Sequence, residues 1–333
     1  MFANIKIIRE NFIFVKKSGI LLIKGGETMS IEYSKLFQLL SQKNISKTDL
    51  QKRIGMSSTT MAKLSKNEYV SLKIIEDICK TLHCQPGDIM EITQDVESPL
   101  LKLLREEKDM KLKGGLYHQT QVKLAYNSNR IEGSRLSEEQ TRFIYETNTI
   151  ATENKEATSI DDIVETINHF QCFDYMLTVA DQVLSEEIIK EFHRLLKSNT
   201  SDSKKEWFSV GDYKKRPNMI GDKKTVSPSK VNGEMAKLLI DYNQVKNVQF
   251  EDIIEFHYKF EMIHPFQDGN GRVGRIIMFK ECLKNGIIPF IIEDQYKQFY
   301  YRGLNEFSTE KGYLVETCYS AQDAYGELLK YFM

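Results

Sequence analysis

Beyond Pro99 the apolar residues of this chain recur at three- and four-residue intervals in one segment after another: "LLKLLREEKDMKLKG", "YHQTQVKLAYNSNRI", "SEEQTRFIYETNTI", "IDDIVETINHFQCFDYML", "SEEIIKEFHRLLKS", "NGEMAKLLIDYNQ", "FEDIIEFHYKFEMIHPF" and "RVGRIIMFKECLKNG". That period lines apolar side chains along one face of an α-helix, so residues 100–333 are predicted to fold as packed helices. One stretch breaks the pattern. Trp207–Pro228, with its glycines, prolines and short apolar pairs, predicts a hairpin or extended flap. The expected fold class is all-α, a small helical bundle followed by a larger helical domain with one β-hairpin.

From Ile31 to Ile92 the helical signals are shorter and closer together. Ser46-Lys-Thr-Asp49 reads as an S-x-x-D cap, Gly55 breaks the chain before a helix over Ser57–Lys66, and Pro86-Gly87 close a further helix. Helix, glycine turn, helix and packing helices resemble the Cro/C1-type helix-turn-helix domains over residues 30–93. The resemblance implies that Ser58, Thr59, Thr60 and Lys63 face bases or phosphates in a DNA major groove. Lys and Arg outnumber Asp and Glu by only two in this stretch, a small excess for binding through phosphate neutralisation, so a dimerisation or protein-docking module is the alternative. The polar "TQDVESP" reads as a linker, set at residues 94–99.

Lys plus Arg (46) nearly balance Asp plus Glu (47) over the whole chain, so no global field draws it to nucleic acid or an anionic membrane. The five cysteines, Cys79, Cys84, Cys172, Cys282 and Cys318, have no metal-like spacing and read as buried thiols of a reduced, cytoplasmic protein. Arg9, Glu10, Lys16 and Lys17 interrupt the apolar start, which is too short for the roughly 18 uncharged residues of a membrane span. Lys24-Gly25-Gly26 can be encoded as a ribosome-binding sequence just ahead of Met29. Translation is therefore expected to begin at Met29, with residues 1–29 a mis-assigned or disordered extension.

The chemistry concentrates in "HPFQDGNGRVGR", His264 to Arg275. Between two helices, Gly269-Asn270-Gly271 can turn backbone N–H groups toward an anion, and the following helix adds the positive end of its dipole. Arg272 and Arg275, three apart, can reach further phosphate oxygens. Asp268 offers a hard oxygen to Mg²⁺, and His264 is the nearby group able to accept a proton near neutrality. Together these residues point to transfer of a phosphate-linked group.

The stretch matches the Fic signature H-x-F-x-[DE]-G-N-G-R-x-x-R at every position, and residues 100–333 resemble that family. The resemblance implies an all-helical core and AMP transfer from ATP to a Ser, Thr or Tyr hydroxyl of a protein, the chain itself included, with release of pyrophosphate. It implies His264 as general base, Asp268 as Mg²⁺ ligand, Gly269, Asn270 and Gly271 as phosphate cradle, and Arg272 and Arg275 on the remaining phosphates. Tyr300 aligns with an aromatic that packs on the adenine. A target-docking flap would span Val210–Val226 with Gly211, Tyr213, Met219 and Ile220, although Lys214 stands where the family pattern G-x-Y-R has arginine. "SNRIEG" matches the family's inhibitory word [ST]-x-x-x-E-[GN], implying a helix around 120–133 in which Ser128, Glu132 and Gly133 bring Glu132 onto Arg275. Two other readings stay open: a DNA-binding regulator using this domain as an ATP sensor, and an enzyme with another donor or with AMP-removing activity. A homo-oligomer is also left open.

Overall fold

The computed structural model describes residues 13–17, 20–24, 28–43, 45–65, 67–95, 98–150 and 157–333. Much of the expected 1–29 extension, Lys66 at the end of the predicted helix and residues 96–97 of the linker lie outside the described residues. The chain divides into two compact units, Gly26–Val96 and Met1–Gly25 with Glu97–Met333.

In the smaller unit, α1 (Ser34–Gln42), α2 (Lys47–Ile54), α3 (Ser58–Ser65) and α4 (Leu72–Leu82) enclose Tyr33, Leu36, Leu40, Leu50, Met61, Leu64, Ile75 and Ile78. The S-x-x-D word is a capping box: Ser46 Oγ accepts from Asp49 N at 3.1 Å and Asp49 returns the bond to Ser46 N, fixing where α2 begins. On α3 the buried Met61 and Leu64 leave Ser58, Thr59 and Lys63 exposed. Thr60 differs: its hydroxyl lies 2.9 Å from that of Ser57, whose oxygen caps the helix. β3 (Thr28–Glu32) pairs antiparallel with β4 (Glu91–Asp95). Thr93–Asp95, read from sequence across the start of the linker, therefore belong to a strand.

In the larger unit β1 (Ile13–Lys17) pairs antiparallel with β2 (Ile20–Lys24), within the stretch expected to be an extension. Ten α-helices follow among the described residues: α5 (Pro99–Asp109), α6 (Leu116–Ile131), α7 (Glu138–Thr147), α8 (Ile160–Thr178), α9 (Glu186–Lys197), α10 (Pro228–Asn243), α11 (Phe250–Ile263), α12 (Asn270–Lys284), α13 (Lys297–Glu306) and α14 (Gly312–Phe332). The apolar period places their cores: α12 is buried on nearly every side and packs against α6, α8, α9 and α11. Val273, Ile276, Ile277 and Phe279 face one apolar cluster, Met278 and Cys282 a second. A helix held from all sides fixes the direction of its first turn, where the signature lies. The predicted flap contains the two-residue strands β5 (Met219–Ile220) and β6 (Lys223–Lys224). No helix among the described residues is long and apolar enough to cross a membrane.

Candidate active site

The signature occupies the junction of α11 and α12. His264 caps α11 in the left-handed region, φ 51°, which swings the chain off the helix axis. Asn270 then closes the loop: its Oδ1 accepts from Phe266 N at 2.8 Å and its Nδ2 donates to Phe266 O at 2.9 Å. Because both ends of the amide are used and the residue is 1% exposed, Asn270 shapes the phosphate cradle rather than presenting its side chain there. Gly269, φ 83°, starts α12 with no side chain capping it. The first amides of the helix are thus open to an anion.

An anion is already there. The Glu132 carboxylate, at the C-terminal end of α6, accepts from Arg275 NH2 at 2.7 Å. A methyl group on Gly271 would overlap this same carboxylate, so Glu132 lies across the first turn of α12. Ser128 completes the contact, its hydroxyl accepting from Arg275 Nε at 3.0 Å and its carbonyl from NH2 at 2.9 Å. Gly133, φ 101°, ends the helix directly after Glu132, and Tyr301 Oη donates to Ile131 O, anchoring that end. Arg275 NH1 is buried without a partner.

Arg272 points elsewhere. Its NH1 donates to Glu165 of α8 and its NH2 to Asp268 Oδ2 at 3.1 Å. Lys197, 2% exposed, donates to Glu165 at 2.5 Å, Asp202 at 3.2 Å and Asp268 at 2.6 Å. Partial burial raises the Asp268 carboxyl, but Arg272 and Lys197 outweigh it and hold the group well below the usual carboxylate range. Arg272, expected on a phosphate, has both NH1 and NH2 held by carboxylates in this structure.

His264 is neutral. Burial, and then the charge of Lys214, push its pKa down to about 4. Its Nδ1 lies 3.7 Å from Glu261 Oε2, and burial followed by the charge of Glu132 raises Glu261 to about 8. His193 ties the loop to the flap: Gly211 N donates to its Nδ1 at 2.9 Å, so Nε2 carries the hydrogen and donates to Asp268 O at 3.2 Å. The ring stacks on Phe266 at 4.0 Å.

Other sequence expectations are altered by burial. Tyr300 is 1% exposed and its hydroxyl lies 2.7 Å from His257 Nε2. It sits beneath the Arg275 guanidinium, 5.8 Å from ring centre to Cζ, so it supports the arginine and offers no open face to an adenine. In the flap, Met219 is exposed and Ile220 half-buried. Tyr213 is instead a core residue between Lys190 and Phe266, and Gly211 lies against Arg194. Sequence reasoning passed over Glu165, Lys197, Asp202, Glu261 and the role of His193, because no local spacing marks them.

Residues 35–95 match the Cro/C1-type HTH DNA-binding domain, and residues 183–282, which contain the whole signature, match the Fic/DOC family. The chain carries a Fic domain. Relatives of that domain include the protein adenylyltransferase Fic of Nematostella vectensis, 28% identical over 54% of this chain and 42% of its own length. The protein adenylyltransferase fic-1 of Caenorhabditis elegans is 27% identical over 57% and 37% respectively. The chain thus spans less than half the length of these curated relatives. Among solved structures, C. elegans Fic-1 aligns over 90% of this chain and 91% of its own, at 20% identity and a TM-score of 0.55. A Fic domain containing signaling protein from Bacteroides thetaiotaomicron aligns over 69% and 90%, at 23% identity and a TM-score of 0.52. These likenesses establish the helical Fic fold.

Proposed function

We propose that this protein is an autoinhibited protein adenylyltransferase, moving AMP from ATP to a Ser, Thr or Tyr hydroxyl, on itself or on another protein. The observation that carries the reading is the Glu132 carboxylate held by Arg275 over the first turn of α12. A carboxylate in that position is a stand-in for phosphate, and the chain supplies it from its own α6.

With Glu132 withdrawn, the amides of Gly271 and Arg272 and the guanidinium of Arg275 would hold the ATP phosphates. Neutral His264 accepts the proton of the attacking hydroxyl, whose oxygen bonds to the α-phosphorus as the bond to the β-phosphate breaks and pyrophosphate leaves. Asp268 fits a Mg²⁺ ligand: its side chain is 48% exposed, it is ionised, and Mg²⁺ commonly takes one or two carboxylates beside substrate phosphates. When bound, the ion would neutralise charge on those phosphates. The flap, with Met219 outward, would hold the target segment by strand addition.

The smaller unit is proposed to bind DNA through Ser58, Thr59 and Lys63, tethering or autoregulating the enzyme in the cytoplasm. Incubation with labelled ATP, UTP or GTP and Mg²⁺ tests the reaction. Label from ATP alone, greater in Glu132→Gly than in wild type, supports adenylyl transfer. Label from another nucleotide changes the donor, and no label in any variant removes the proposal.

A further inference from the structure

We propose that Lys214 is a positioning residue that pins the flap to the catalytic loop and faces the base with a positive charge; this rests on the adenylyl-transfer reading of the site. Lys214 is 3% exposed. Its Nζ donates to Asn218 Oδ1 and Thr225 Oγ1, each at 2.7 Å, and to Ile263 O at 3.3 Å. Its backbone N donates to Pro265 O at 2.8 Å. Asn218 and Thr225 flank the β5–β6 hairpin, one before it and one after, while Ile263 and Pro265 flank His264. One side chain and its own amide therefore join both legs of the flap to both neighbours of the base. Asn218 adds a second tie, donating to Phe266 O at 2.9 Å.

The three side-chain bonds all go to uncharged acceptors. Burying an ammonium on such acceptors is costly: it brings the Lys214 pKa down to about 8, still cationic at neutrality, and an apolar side chain of similar volume would fill the space with less loss. The charge therefore has a use beyond packing. Two are visible. Three directed bonds set the flap at a fixed height over the loop, which matters because a displacement of about 1 Å between hydroxyl and phosphorus can cost roughly 100-fold in rate. The ammonium also disfavours a second positive charge on His264, keeping the imidazole in the form that accepts a proton. The other charges that bear on His264 are Glu132 from α6 and Asp268 from the loop, while Glu261 on its own helix, 3.7 Å away and raised to about 8, acts through its backbone. Both charges are acidic and act in the opposite sense to Lys214. Lysine in place of the family's arginine at this position gives a compact group that fits between Asn218 and Thr225.

Hydrogen exchange and a histidine titration on the full chain test this without relying on catalysis. In Lys214→Met, which keeps the stem's volume, amides of residues 218–226 should exchange about 10-fold faster or more, as loss of bonds from a charged donor implies. Amides inside α11 and α12 should keep their wild-type rates, and the His264 resonance should titrate at a higher pH than in wild type. Thr225→Val, which removes one acceptor of Lys214 and the hydroxyl's own bonds to Asn218 but no charge, should loosen the flap and leave the His264 titration in place. Flap exchange unchanged in both variants, or a His264 titration unmoved in Lys214→Met, would overturn the proposal. Transfer of AMP is a separate readout: if no variant ever transfers AMP but exchange and titration respond as stated, the pin stands and the reaction assigned to the site is what fails.

Discussion

Glu132 Oε1 and Arg275 NH2 lie 2.7 Å apart, bridging residues 143 positions distant in the chain. The arginine is almost wholly buried and the glutamate 30% exposed. The pair is therefore asymmetric: Arg275 must have an anion, whereas Glu132 can be solvated. Removing Glu132 leaves a buried cation whose natural replacement is a phosphate.

Nucleotide affinity follows from that asymmetry. Wild type is expected to bind ATP and ADP about equally, since the partner of the terminal phosphate is occupied. In Glu132→Gly, ATP should bind about 10-fold more tightly than ADP, the scale of one charge-assisted bond. Isothermal titration with Mg²⁺ present measures both. Equal affinities in the variant would mean that Arg275 does not meet the γ-phosphate.

Glu261 gives the larger unit a pH signature. Its folded pKa, about 8, stands above the ordinary carboxyl value because of burial and then the charge of Glu132. Between the unfolded value and 8 the folded form keeps a proton that the unfolded chain loses. Stability from this group thus falls as pH rises through that window, by at most about 1.4 kcal/mol per pH unit. His193 and His257, each held near 3 mainly by burial, act oppositely and cost stability as pH drops below their unfolded value. Urea midpoints of Glu261→Gln and wild type should therefore diverge between pH 5 and 8, wild type losing ground; parallel curves would remove the assignment.

Lys197 should matter far more than its charge alone suggests. Lys197→Met removes one of the two cations, with Arg272, that Glu165 and Asp268 share and should cost about 2 kcal/mol, the scale of its charged hydrogen bonds. Lys205→Ala, which removes an exposed partner of Asp202, should cost under about 1 kcal/mol. Chemical denaturation of the two variants compares them, and equal losses would contradict a network centred on Lys197.

On the helix-turn-helix unit, Lys63→Ala should weaken binding to duplex DNA at all sequences and flatten the dependence of log affinity on log salt by about 1. Fluorescence anisotropy across a salt series, with a duplex selected from a random pool, reads both quantities. An unchanged salt slope would take Lys63 off the phosphate backbone.

The signature loop was legible because its donors, acid and histidine are contiguous, and Glu132 because its word is short and ends a helix. Periodicity likewise located the helices, α12 included. What escaped were partners set by packing. Glu165 meets Arg272 and Lys197 meets Asp268 only when α8 and α9 lie beside α12, with Asp202 joining through Lys197, and nothing in their spacing foretells that. Tyr300 was placed on the nucleotide by alignment, but its burial under Arg275 depends on α13. Asn270 was read by its chemistry as a phosphate ligand, whereas the loop consumes its amide. The β3–β4 pair joins segments about sixty residues apart, with no tight turn between them to signal a hairpin.

The central claim, a catalytic loop held in check by Glu132, is tested most directly by the intact mass of the protein after incubation with ATP and Mg²⁺. Wild type should gain little, Glu132→Gly should gain the mass of one or more AMP groups, and Glu132→Gly combined with His264→Ala should gain none. Equal labelling of wild type and Glu132→Gly, or labelling that survives loss of His264, would contradict it.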